Sequence, residues 1–440
     1  MADASFPVPG QVLQMVRAGT TVTISEPLKE GGQGVVYRAV LSTGAVFAVK
    51  WYRAASASRA QREAIEALVM HGRPHPAFIW PLDVVTCPNV AGFGYLMPLL
   101  EPRFMSFAEM LESPRQPTFA DMAVIGRELV DAFAALHASG LCYRDISFGN
   151  LFVDPERAEV AVIDNDNVGT DGGTVQVLGT LRFMAPEIVR REALPATVSD
   201  LHSLAVLLFY LYVHGHPLDG QRVESTFTWE GERHRSDSEL ATIHYGIDPL
   251  FVFNPTDGSN RPVPGDPMLR WWPLYPRFFR DLFIRAFTVG LVDATLAGRN
   301  TESLWRKGLL RLRDSVRQCD TCTAGHFYDP EEPSAPCWNC GALPPPPLVL
   351  DLGGNTIVLS PGNVVTAHHV FRNKDHRTVE ARVEAHPYHP GELIVRNEGA
   401  APWTIRPVGE EEKTVRAGQR LAVRPAVIDF GPVRGTIRLA

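Results

Sequence analysis

The stretch YRDISFGN sets Asp145 and Asn150 five residues apart, just after a long helical run. A carboxylate and a carboxamide at that spacing can divide one task. The Asp accepts or orients a hydroxyl proton, and the Asn carbonyl helps to hold a divalent metal. Fourteen residues beyond Asn150, the apolar run VAVID ends on Asp164, a second carboxylate at a strand tip. Upstream, LKEGGQGVVYRA carries Gly31, Gly32 and Gly34 between two strand-like runs. Such a turn can aim backbone N–H groups at phosphate oxygens. By itself it is only a turn, but Val36 follows Gly34 by two residues, and FAVK brings Lys50 sixteen residues after it. A glycine turn, a strand lysine, an acceptor carboxylate and a metal pair are the parts of phosphoryl transfer.

The elements that must position these groups are legible from periodicity. TVTISEPL, GVVYRAVL and AVFAVKWY are β-rich and separated by turn residues. Helical spacing predicts helices over 58–71, 118–139, 194–213, 276–288 and 301–316, with short strands at NLFV and EVAVID. The chain thus divides into a β-rich front over 21–100 and a helical back over 101–316, preceded by an extension over 1–20. Residues 221–275 are rich in Pro, Gly and Trp and read as an irregular insert, too long for a plain connection.

Further landmarks follow in order. GTLRFMAPEIV contains Ala185-Pro186-Glu187, with Thr180 just before it, SDLHSLAVLLFYL contains Asp200, and LVDATLAGRNTESLW contains Arg299. In this order and spacing, residues 21 to about 316 resemble a eukaryotic-type Ser/Thr protein kinase domain. The resemblance implies an α+β, bilobal protein kinase fold that uses ATP and Mg²⁺. It makes Asp145 the catalytic base, Asn150 and Asp164 the magnesium ligands, and Lys50 the phosphate-binding lysine. Lys50 then needs a carboxylate from the next helix; Glu63 and Glu66 are available, and Glu66 is preferred because of Met70 and the His-Pro that follow it. Val36 and Ala48 would sandwich adenine, Met97 would be the gatekeeper, and Leu99 would lie in the hinge. Glu187 would pair with Arg299, and Asp200 would brace the catalytic loop. Arg144 would receive an activation-loop phosphate, for which Thr170 and Thr174 are the candidates.

Several positions depart from the family pattern. Tyr143 stands for the usual His, Ser147 for the usual Lys near the transferring phosphate, Lys29 for the first loop glycine, and Asn165-Asp166 for Phe-Gly. A positioned charge such as the missing lysine contributes strongly to rate. Gly149 before Asn150 is similar to small-molecule kinases, which lack the Ala-Pro-Glu segment kept here. Three readings stay open at this level: an active protein kinase, an ATP-binding pseudokinase scaffold, and a small-molecule kinase.

Cys319–Cys322 and Cys337–Cys340 form two C-x-x-C pairs separated by fourteen residues. Four thiolates so spaced predict a closed tetrahedral zinc site, a zinc ribbon over 317–343 with no open position for catalysis. Pro344 to Pro347 read as a stiff linker. Residues 348–440 alternate apolar and polar with frequent turns, predicting an all-β sandwich. It faintly resembles forkhead-associated domains, though no phosphothreonine-reading motif is present; AHHV, residues 367–370, is the nearest fragment. With GHPLDG and the PLFVFNP…WW insert, this combination resembles bacterial kinases associated with a PP2C-type phosphatase and a von Willebrand A-type protein. That resemblance implies those two partners besides a protein substrate.

The bulk numbers fit this picture. A net charge of −7 gives no global attraction to nucleic acid or to an anionic membrane. The longest apolar run, LAVLLFYLYV, is too short to span a bilayer, and MADASFPVPG lacks the pattern of a secretory signal, so the cytosol is the expected compartment.

Overall fold

The computed structural model describes residues 6–114, 116–171, 173, 179–223, 237–333, 335–389 and 391–440. The front lobe is a closed six-stranded barrel. Its strands are β1 (Val12–Met15), β2 (Thr21–Glu30), β3 (Gly34–Leu41), β4 (Val46–Tyr52), β5 (Asp83–Cys87) and β6 (Val90–Pro98), in spatial order β1-β2-β3-β4-β6-β5. The expected extension over 1–20 is therefore corrected: Val12 to Met15 pair with β2 and β5 and close the barrel. The cause is apolar. Leu13 is fully buried among Val22, Ile24, Val49, Trp51 and Leu96.

β4 is buried on both faces. Val49 and Trp51 enter the barrel core, while Ala48 and Tyr52 enter the larger core shared with the back lobe. Lys50 alternates with the first pair, so strand geometry turns it toward the lobe interface. Helix α1 (Arg59–His71) starts at Ser58, whose hydroxyl caps the Gln61 N–H at 3.1 Å. Its buried face is Gln61, Ile65, Leu68 and Val69.

The back lobe is built on the helices Phe119–Ala138 and Thr197–Val213. Thr118 and Asp121 form a capping box at the first. The second is buried nearly all round, as its apolar run predicts. The two pack closely at Gly126, where a Cβ would lie 2.1 Å from the Tyr212 hydroxyl oxygen. That hydroxyl donates to the Met122 carbonyl at 2.9 Å.

The insert over 221–275 is not a loose loop where it is described. Phe251 and Val252 are fully buried, Phe253 stacks on Trp272 at 4.5 Å, and Asn260 ties the Leu218 and Leu250 carbonyls together. Burial of its aromatics outweighs the Pro and Gly content that reads as irregular.

Strands Val316–Gln318 and Gly325–Phe327 carry Cys319 and Cys322 in the turn between them and pack on the back lobe, where Phe327 meets Phe119 at 4.8 Å. Residues 348–440 form two antiparallel sheets, six-stranded and four-stranded, around one core. AHHV folds into the short helix Ala367–Phe371. The prolines before this domain are held in place, since Arg317 donates to the Pro345 carbonyl at 2.9 Å. The sandwich is docked through polar contacts, of which His369–Asp314 is buried and those of Arg377 are exposed. His369 meets Asp314 at 3.0 Å, Asn363 donates to the Val316 carbonyl at 2.6 Å, and Arg377 reaches Glu128 and Glu159 at 3.1 and 3.4 Å. Among the described residues no helix is long and apolar enough to cross a membrane.

Candidate active site

The catalytic loop is fixed from beneath by Asp200. Its carboxylate accepts the backbone N–H groups of Tyr143 and Arg144, the latter at 3.0 Å, and Arg144 takes a left-handed φ of +75°. His137 lies against the same carboxylate at 3.1 Å and also contacts Glu302. Burial opposes its charge, but Asp200 and Glu302 outweigh burial and push its pKa up to about 9. Above this base, Asp145 accepts from the Thr180 hydroxyl at 2.8 Å, and the Asn150 amide donates to the Asp145 carbonyl at 2.9 Å. Burial raises the Asp145 pKa, the Thr180 hydrogen bond works against that, and the Asp164 charge adds to it.

Asn150 and Asp164 flank the paired strands Leu151–Asp154 and Glu159–Val162, and the Ile163 N–H donates to the Asn150 carbonyl at 2.9 Å. The Tyr143 hydroxyl donates to the Ile163 carbonyl, so the tyrosine in place of histidine links the catalytic loop to the second carboxylate. Asp164 itself is left-handed, φ +54°, with its side chain half exposed to the cleft.

Lys50 Nζ lies 2.7 Å from Asp166, 3.4 Å from Asp164 and 3.0 Å from the Gln33 carboxamide oxygen. Burial would lower its pKa, but the Asp166 charge, then that of Asp164, outweigh burial and raise it. Glu66 is not its partner, which corrects the sequence expectation. Glu66 pairs with Arg62 at 2.9 Å and its side chain is 45% exposed; Glu63 pairs with Arg59 on the outer face. The reason is helical phase. Gln61, Ile65, Leu68 and Val69 hold the inner face of α1, Glu66 falls about 100° away from Ile65, and Met70 points to solvent.

The glycine turn closes through the Gly31 N–H and the Gly34 carbonyl at 2.9 Å. Gly34 packs against β4, where a Cβ would lie 2.0 Å from the Trp51 carbonyl oxygen, so no other residue fits. Gly31 and Gly32 lie open above the cleft, and Gln33 dips in to Lys50. Ala48 and Met97 are buried cross-strand neighbours on β4 and β6, Val36 and Leu99 are half-buried beside them, and Lys29 is exposed on β2 opposite Val36. Ser147 is buried.

Beyond the cleft, Glu187 meets Arg299 at 2.7 Å, and Arg299 also donates to His202 at 2.7 Å. Burial and the Arg299 charge keep His202 neutral. Thr170 is exposed, and its carbonyl accepts from the Arg144 guanidinium at 3.0 Å. Thr174 lies outside the described residues.

The family model for the protein kinase domain matches residues 22–244, just over half of the chain. The chain belongs to the protein kinase domain family. Relatives share part of this kinase domain. Mouse (Mus musculus) ribosomal protein S6 kinase alpha-4 is 34% identical over 119 residues, 26% of this chain and 14% of the relative. CBL-interacting protein kinase 4 of Oryza sativa subsp. japonica is 30% identical over 119 residues, 26% and 25% of the two chains. Serine/threonine-protein kinase PLK4 of Drosophila virilis is 29% identical over 165 residues, 36% and 20%. The chain thus spans a quarter or less of the length of these curated relatives.

In this kinase the four cysteines after the back lobe converge. Their Sγ atoms all lie within 4.8 Å of one another, with Cys319–Cys340 and Cys322–Cys337 each at 3.7 Å. A tetrahedron with Zn–S bonds of about 2.3 Å has edges of about 3.8 Å, so the cluster is compatible with a closed zinc centre. His326 stays outside this group.

Sequence reasoning missed three residues of the kinase cleft: Asp166, Tyr52 and Gln61. Asp166 read as a lost glycine, not a gained carboxylate. The usable signal was phase: Gln61 stands four, seven and eight residues before the apolar Ile65, Leu68 and Val69.

Proposed function

We propose that this chain is an ATP- and Mg²⁺-dependent Ser/Thr protein kinase that phosphorylates protein hydroxyls and its own activation loop. The observation that carries the reading is the set Asp145, Asn150, Asp164 and Lys50, gathered at one cleft with Thr180 on Asp145. Asp164 and Asn150 fit a magnesium site: a half-exposed carboxylate and a carboxamide at the same end of two paired strands. The bound metal would neutralise phosphate charge. Asp145 orients the acceptor hydroxyl and takes its proton, and its burial tunes the carboxylate toward that role. Lys50 holds phosphate oxygens, and the open space around Gly31 and Gly32 lets the backbone of the turn approach them. Thr170 and Thr174 are the activation-loop sites in this reading, with Arg144 adjoining the first.

The cysteine cluster would hold structural zinc, and the β-sandwich would act as a degenerate forkhead-associated-like interaction module. Its partners in this reading are a PP2C-type phosphatase and a von Willebrand A-type protein. A second reading, an ATP-binding scaffold, is favoured by Ser147, because no lysine follows the catalytic Asp.

Incubation with Mg-ATP, followed by phosphosite mapping with Asp145→Asn as control, separates them. Phosphate on Thr170, Thr174 or an added protein, reduced about 10²–10⁴-fold in the control, supports the kinase. Nucleotide binding without transfer supports the scaffold, and ATP turnover stimulated only by small hydroxylated metabolites supports a small-molecule kinase.

A further inference from the structure

The pairing of Lys50 has an unusual source. Protein kinases draw the lysine's carboxylate from the helix after it, so that helix movement can make or break the pair. Here both glutamates of α1 face outward and are paired with arginines of their own helix. What α1 sends inward is neutral: Gln61 Nε2 donates to the Asp166 carbonyl at 3.2 Å and to the Tyr52 hydroxyl at 3.1 Å. The carboxylate comes from Asp166, two residues past Asp164. Its side chain has no exposed surface, and its Oδ2 accepts from Lys50 at 2.7 Å and from Tyr52 at 2.6 Å. The neighbouring Asn165 pins the segment by donating to the carbonyls of Ile79 at 2.8 Å and Val162 at 3.1 Å.

We propose that Asp166 is the positioning residue for Lys50, supplying from the segment of Asp164 the carboxylate that other kinases place on the helix. The inference rests on the kinase reading above and deepens it. The Asp166 Oδ2 is filled by Lys50 and Tyr52, its Oδ1 is buried with no hydrogen-bond partner among the described residues, and no part of the side chain reaches solvent. One short stretch, Asp164 to Asp166, then sets both the metal carboxylate and the lysine. Displacing that stretch disarms both at once, whereas α1 acts on Lys50 only indirectly, through Gln61 and Tyr52. Control of the cleft passes from the helix to the segment that leads into the activation loop.

The test uses the full chain and a fluorescent ATP analogue with Mg²⁺, so that binding is read without turnover. Asp166→Asn is expected to weaken nucleotide binding, and to raise KM for ATP, by about tenfold or more. Glu66→Ala and Glu63→Ala are expected to leave both within about twofold. The double variant Gln61→Glu/Asp166→Asn returns a carboxylate to the cleft from α1 and is expected to recover part of the loss. A role confined to packing would lower the melting temperature of Asp166→Asn without this rescue.

The proposal is overturned if Asp166→Asn binds within twofold of wild type, if the double variant recovers nothing, or if Glu66→Ala weakens binding as much. The Glu66 and Glu63 arms decide even where Asp166→Asn does not fold. A wild type that binds Mg-ATP but never transfers sinks the kinase reading and leaves this test intact. A wild type that binds no nucleotide overturns both.

Discussion

Two buried ion pairs, both at 2.7 Å, hold opposite ends of the kinase domain. Glu187–Arg299 joins two back-lobe segments 112 residues apart and is completed by a neutral His202. Lys50–Asp166 joins the front lobe to the cleft floor across 116 residues and is completed by Tyr52. The first uses the partners that the family spacing gives, while the second has changed partner. The difference is one of what surrounds each pair. Arg299 pairs directly with Glu187, with the Asp293 charge also acting on it, whereas Lys50 faces a segment that already brings Asp164 to the cleft. A carboxylate two residues further along that segment needs no help from α1. The anchor is therefore held by its fixed surroundings, whereas Lys50, in the role proposed for it, draws on a buried carboxylate of the Asp164 segment.

The comparison breaks first on transfer rate. Lys50→Met is expected to cut phosphoryl transfer by about 10²–10³-fold per folded molecule, as loss of a preorganised charge does. It also leaves Asp166 buried without its cation. Arg299→Met is expected to cost about 3–5 kcal/mol of stability by stranding Glu187, measured by urea unfolding, with transfer per folded molecule changing far less. Equal rate losses from the two variants would erase the distinction between anchor and cleft.

A smaller effect sharpens the anchor side. His137 has a pKa raised from its ordinary value to about 9 by Asp200 and Glu302. Its charged form therefore stabilises the fold fully below the unfolded value near 6.5, and that contribution fades as pH rises through about 9. Unfolding free energy should fall by at most about 3 kcal/mol over that window, and His137→Gln should flatten the profile. Asp145 gives the cleft its own pH signature. Since burial raises its pKa, the acidic limb of the transfer rate should lie above the ordinary carboxylate range and vanish from the residual rate of Asp145→Asn.

The smallest effect on transfer is expected from the cysteine centre. Chelation, or Cys322→Ser, should release one zinc per chain by atomic absorption and lower amide protection in Val316–Gln318 and Gly325–Phe327. Transfer should stay within about twofold, because a four-sulfur site leaves no position open for catalysis. Absence of metal in the purified chain would remove the zinc reading.

Much of the fold was legible because its signals are local. The five long helices begin and end within a few residues of the predicted ranges, since Ser58 and Thr118 cap the first two and apolar stripes mark the rest. β1 was not legible: four residues of VLQM carry little pattern, and their burial depends on a barrel formed with β5, some seventy residues away in sequence. The packing of the irregular insert was not legible for the same reason, since Phe251 and Trp272 meet only in three dimensions. In the site, residues defined by spacing along one segment, such as Asp145 and Asn150, came together as read. The partner of Lys50 did not, because a helix phase and a two-residue step past Asp164 decide it.

The closure of the front lobe by β1 bears on how this kinase can be cut. A chain started at residue 21 would lose the Val12–Met15 strand and expose the backbone edges of β2 and β5 at once. Leu13 would vacate its fully enclosed place beside Val22 and Trp51. Two unpaired edges flanking an apolar gap invite another chain to supply the missing strand. Trimming to the matched family boundary would thus turn a self-contained barrel into a sticky one, and material so prepared would cluster before it could be assayed.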